Sequence, residues 1–62
     1  MKITDDFYMA DDVIETIKAE KGGGTDWWQV TITTKSGRFT ALGNLTSGEA
    51  RAKAKHMIDQ LP

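Results

Sequence analysis

Residues 27–42, WWQVTITTKSGRFTAL, decide the fold. Trp28, Val30 and Ile32 recur at period two in a run of aromatic and β-branched residues, the pattern of a half-buried strand. Lys35, Ser36 and Gly37 interrupt the run, and residues 38–42 resume in extended style. Glycine takes a positive φ at no steric cost. A type I turn closed by Gly37 therefore predicts a hairpin with a three-residue loop. That loop pairs Thr34 with Arg38, Ile32 with Thr40 and Val30 with Leu42. Trp28, Val30, Ile32 and Leu42 then share the core face, and Trp27, Gln29, Thr31, Thr33, Phe39 and Ala41 the other. A two-residue loop, Ser36-Gly37, would slip the register by one and turn Phe39 and Ala41 inward. The first register is preferred because it sets Val30 beside Leu42. In either register Trp27 and Trp28 point to opposite faces, so one of them needs cover or belongs to a binding surface.

Upstream, residues 13–21, VIETIKAEK, admit two readings. Ala10, Val13, Ile14 and Ile17 have helical spacing, and Asp12 with Glu15 makes a capping-box pattern. Against this, Ile17 and Ala19 alternate with Lys18 and Glu20, and the run Gly22-Gly23-Gly24-Thr25-Asp26 is a flexible turn leading back into Trp27. A third strand would stabilise a hairpin that is marginal alone, so the strand is preferred. Residues 1–4, with Ile3, and the triplet Phe7-Tyr8-Met9 read as a short edge strand or an arm laid on the core, broken at Asp5-Asp6. Downstream, Thr46 and Glu49 form a capping box that opens a helix. Its apolar stripe is Ala50, Ala54, Met57, Ile58 and Leu61, and Pro62 is the last residue. The expected fold is one small α+β domain over 1–62: an antiparallel meander of three or four strands with a C-terminal helix across one face.

Sixty-two residues bury only about 60% of their unfolded surface, so stability is marginal. With no cysteine, neither a disulfide nor a thiolate metal site staples the chain. Apolar residues make up 39% and charged residues 27%, a globular balance. No apolar run is long enough to span a membrane and no signal-peptide pattern is present, so the expected location is the cytoplasm. The net charge of −1 argues against general attraction to nucleic acid. The charge is uneven: residues 1–20 carry six acids against two lysines, and residues 21–62 carry six basic groups against three acids.

The chemistry-bearing residues are few. His56, the one histidine, lies opposite the apolar stripe, with only Lys53, Lys55 and Asp59 near it on the helix, and reads as a surface residue. Ser36 belongs to a turn and Ser47 to a helix start, outside any nucleophile-elbow pattern. The glycine run lacks the lysine and spacing of a phosphate loop. The Asp5-Asp6 and Asp11-Asp12 pairs lack the spacing of an EF-hand and read as caps and solvated charge. No enzyme activity, cofactor or metal is expected.

Two functions remain. The first is a non-enzymatic protein-interaction module. It would bind a foreign protein, or a second copy as a homodimer, through Trp27, Thr31, Thr33, Arg38 and Phe39 on the outer sheet face. The second is a weak nucleic-acid binder that uses the hairpin tip, Lys35 and Arg38, and the helix residues Arg51, Lys53 and Lys55, with aromatics as stacking surfaces. The first is preferred, because Arg51 and Lys55 leave the helix on a different side from Lys53, and Asp59 is placed to pair with Lys55. The architecture resembles that of small phage and prophage proteins. That resemblance implies a factor that inhibits or adapts a larger host complex.

Overall fold

The computed structural model describes residues 1–4 and 7–61, so the break at Asp5-Asp6 and the last residue, Pro62, lie outside the described residues. Strand β1 (Lys2–Thr4) pairs antiparallel with β2 (Phe7–Tyr8) in a sheet of their own. A 3-10 turn at Asp11–Val13 leads into β3 (Ile14–Lys21). Strands β4 (Trp28–Thr34) and β5 (Gly37–Leu45) complete an antiparallel meander in the order β3-β4-β5. Helix α1 (Ser47–Asp59) follows and packs chiefly on β3 and β4. The fold is α+β, and residues 14–21 are a strand, as the alternation of Ile17 and Ala19 with Lys18 and Glu20 predicts. The N-terminal arm pairs with itself rather than adding a fourth strand to the meander.

The helix begins where its sequence says. The Thr46 hydroxyl accepts from Glu49 N at 3.2 Å, and Glu49 Oε1 accepts from Thr46 N at 3.1 Å. Two otherwise orphaned amides are thereby satisfied. Ala50, Ala54 and Met57 are buried, but Ile58, expected in the same stripe, is 47% exposed. The sheet has only three strands, so α1 finds cover for a narrow stripe and not for the flank that Ile58 occupies.

The hairpin register differs from the preferred one. Thr34 pairs with Gly37, not Arg38, and Ile32 pairs with Phe39, not Thr40. Gly37, at φ 133°, enters the ladder and leaves Lys35 and Ser36 as the turn. The Thr34 side chain ties that turn, accepting from Ser36 N at 3.2 Å and donating to Gly37 O at 3.0 Å. Paired residues share a face, so Phe39 lies on the core side with fully buried Ile32, and its ring stacks on Phe7 at 5.7 Å. The pairing of Val30 with Leu42 holds nevertheless.

Both hold because β5 is bulged twice. One extra residue falls between the Thr31–Thr40 and Val30–Leu42 pairs, and another between Val30–Leu42 and Trp28–Leu45. Asn44, at φ 57°, takes up the second. Each bulge restores the face that strict alternation would lose. Phe39, Leu42 and Leu45, three residues apart, therefore all pack against one core. That core is Ile3, Ile17, Val30, Ile32, Ala50, Ala54 and Met57. The arm contributes Ile3 to it, with Met1 and Met9 alongside.

Candidate interaction face

The register places side chains on the far side of the sheet in cross-strand rows. Thr16, Thr33 and Arg38 form one row, Lys18, Thr31 and Thr40 the next, and Glu20 with Gln29 the third. The ladder continues one rung past β4, since Gly22 N donates to Trp27 O at 3.0 Å. Trp27 thus follows strand alternation, stands opposite Gly22 on the same side as Gln29, and is 53% exposed. Among the described residues, α1 and the residues of the arm that join the core all lie on the other side. The face is polar, and no described element packs over it.

A hydrogen-bonded cluster holds its centre. The Thr31 hydroxyl donates to Glu20 Oε1 at 2.6 Å, and Lys18 Nζ stands 3.3 Å from Glu20 Oε2. Gln29 Nε2 donates to Glu20 Oε1 at 3.4 Å and to Thr31 Oγ1 at 3.3 Å. The Thr31 hydroxyl first, then Lys18, hold the Glu20 carboxyl below the usual carboxylate range. Thr31 itself is only 3% exposed, walled in by its neighbours. It positions Glu20 and Gln29 and offers little surface of its own.

Of the residues read from sequence as a binding face, the structure brings Trp27, Thr31, Thr33 and Arg38 to one side of the sheet. Phe39 belongs to the other side, where it packs against the core. Sequence reasoning left out Thr16, Lys18, Glu20 and Thr40 as members of this face. The alternation of Thr16, Lys18 and Glu20 within the strand reading of 14–21 was the signal that could have placed them. Arg38 makes no ion pair among the described residues, whereas two basic groups of the helix are engaged. The Arg51 guanidinium lies over the Trp28 ring at 5.0 Å, and Lys55 Nζ is 2.9 Å from Asp59 Oδ2.

On the covered side, an open groove of roughly 470 Å³ runs between β1, β5 and α1. Ile3, Leu42, Leu45 and Met57 floor it, and Lys53, His56 and Gln60 stand at its rim. His56 Nε2 is 2.7 Å from Gln60 Nε2, a contact to a side-chain amide. Residues 22–26 join two strands, and Trp27 N donates to Thr25 Oγ1 at 3.1 Å. Asp11 Oδ1 stands 2.8 Å from the Met1 ammonium. No group of three or more His, Cys, Asp or Glu among the described residues is placed to hold a metal ion. No described helix is long and apolar enough to cross a membrane. Compared with known protein families, curated proteins and solved structures, the chain matches none.

Proposed function

We propose that this protein is a non-enzymatic interaction module and that the open face of its three-stranded sheet is the surface that meets a protein partner. One observation carries the reading. Trp27, 53% exposed, stands on a polar face over which no described element packs, while the opposite face takes the whole core. Trp27 at one end of the face and Arg38 at the other are residue types enriched among the anchors of protein interfaces. Thr16, Thr33 and Thr40 surround Arg38 with short side chains that lose little rotamer freedom on contact. Such a module acts by occupying or adapting a larger assembly, not by chemistry.

The test compares faces. The immobilised protein is challenged with lysate from its source cells, in parallel with Trp27→Ala, Arg38→Ala and Thr33→Lys variants. A groove-rim variant, Lys53→Ala, serves as control. The proposal expects a retained protein that the open-face variants lose and Lys53→Ala keeps. Equal retention by all variants would overturn it. The same variants titrated with duplex or single-stranded nucleic acid at two salt concentrations test the other reading. Steeply salt-dependent binding would favour it.

A further inference from the structure

The meander has two outer strands, and they differ. Strand β5 is bulged twice and carries Asn44 at φ 57°, features that spoil an edge for further pairing. Strand β3 runs without irregularity from Thr16 to Lys21, and no described residue pairs with its outer edge. The bond from Gly22 N to Trp27 O sets the direction of its backbone groups. By the alternation of an antiparallel ladder, Thr16, Lys18 and Glu20 bond inward to β4. Ile17, Ala19 and Lys21 then present their N–H and C=O groups outward.

We propose that β3 pairs antiparallel with β3 of a second copy about a two-fold axis through Ala19, joining two meanders into one six-stranded sheet. Residues opposed across such a pair share a face, which restricts where the axis can fall. With the axis at Ala19, Lys18 of each copy lies opposite Glu20 of the other, and Ile17 lies opposite Lys21. The outward groups of Ile17, Ala19 and Lys21 are then the ones that exchange hydrogen bonds. With the axis at Lys18, that lysine would face itself, and like charges directly opposed are destabilising. With the axis at Ile17, Lys18 would face Thr16 and Glu20 would face Ile14, leaving both charges unmatched. Charge therefore selects Ala19.

The helix flank agrees with this. Lys53, His56 and Gln60 turn toward β1 and β5, where they rim the groove. At 100° per residue the opposite flank, which bears Ile58, looks toward the β3 side. Ile58 is 47% exposed on that flank. The inference concerns the strand edge and stands apart from the open face. In the joined sheet the two polar faces would run together, doubling the surface proposed above.

The experiment uses the intact chain. The protein has no cysteine, so a single Ala19→Cys or Lys18→Cys substitution reports one position each. Hydrogen-bonded antiparallel partners have Cα atoms about 5.5 Å apart, within disulfide reach. Light scattering should give twice the chain mass of 6.9 kDa for the unmodified protein. Under mild oxidation, Ala19→Cys should cross-link at least tenfold faster than Lys18→Cys. Lys18→Glu alone should weaken the dimer, and adding Glu20→Lys should restore it. A monomer at every concentration, or a dimer in which position 18 cross-links as fast as position 19, would overturn the proposal. Neither result bears on the Trp27 and Thr33 variants, which leave the β3 edge untouched.

Discussion

The two faces of the β3-β4-β5 sheet come from the same strands and do opposite work. On one, Ile17, Val30 and Ile32 meet Ala50, Ala54 and Met57 of the helix and Ile3 of the arm. On the other, the same strands put out Thr16, Lys18, Glu20, Gln29, Thr33 and Arg38 with no described element over them. The covered face carries the stability of a domain too small to spare much of it. The open face can change its side chains at little cost to folding, and so is free to be shaped by a partner. The difference teaches that residue type alone does not locate function here. Trp28 and Phe39 serve the core, while their neighbours Trp27 and Arg38 serve the surface.

That contrast can be broken at several strengths. Ile32→Ala, on the covered face, should cost about 2–5 kcal/mol in urea unfolding, because a fully buried side chain leaves a cavity. Thr33→Ala, one residue away on the open face, should stay within about 0.5 kcal/mol. Similar losses from both would erase the distinction between faces. Phe39→Ala should cost on the order of 2 kcal/mol, since Phe39 packs on the core. A double-mutant cycle with Phe7→Ala should recover a coupling of about 0.5–1.5 kcal/mol from the ring stack. Zero coupling would place Phe39 elsewhere. Thr46→Ala should cost about 1 kcal/mol through the lost helix cap.

The smallest effect is electrostatic. Thr31 and Lys18 hold the ionised form of Glu20, so its pKa is lower folded than unfolded. Its contribution is full above the ordinary glutamate pKa and fades as pH falls through the lowered value. Glu20→Gln should therefore lower stability slightly at neutral pH and flatten the acid side of the profile, with the two proteins converging at low pH. Unfolding midpoints across a pH series measure this. An unaltered acid slope would mean that the polar cluster does not hold in solution.

Much of the fold was legible. The capping box at Thr46 and Glu49 is local chemistry, and it fixed the helix start. The alternation of Ile17 and Ala19 with Lys18 and Glu20, with the hairpin's need for a third strand, favoured β3 over a competing helical spacing. The hairpin register was not legible, for a physical reason. Phe39, Leu42 and Leu45 recur every three residues, which suits neither an ideal strand nor a single choice of loop. Two bulges reconcile that spacing with one buried face, so the preferred register matched at Leu42 and failed at Phe39. The pairing of β1 with β2 depends on Ile3 reaching a core built from distant strands, which no local pattern announces. The candidate face was legible at Trp27, Thr31, Thr33 and Arg38, all in the β4-β5 hairpin or immediately before it. It was incomplete at Thr16, Lys18 and Glu20, because their place depends on β3 lying beside β4.

The division of the sheet rests most directly on its two adjacent tryptophans. Trp27 stands 53% exposed on the open face, and Trp28 lies half-buried on the covered face beneath the Arg51 guanidinium. Acrylamide quenching of the single-tryptophan variants Trp28→Phe and Trp27→Phe reads each ring separately. The account predicts red-shifted, strongly quenched emission from Trp27 and blue-shifted, weakly quenched emission from Trp28. Equal quenching, or the reverse order, would contradict it, since the face assigned to interaction would then not be the one that displays its tryptophan to solvent.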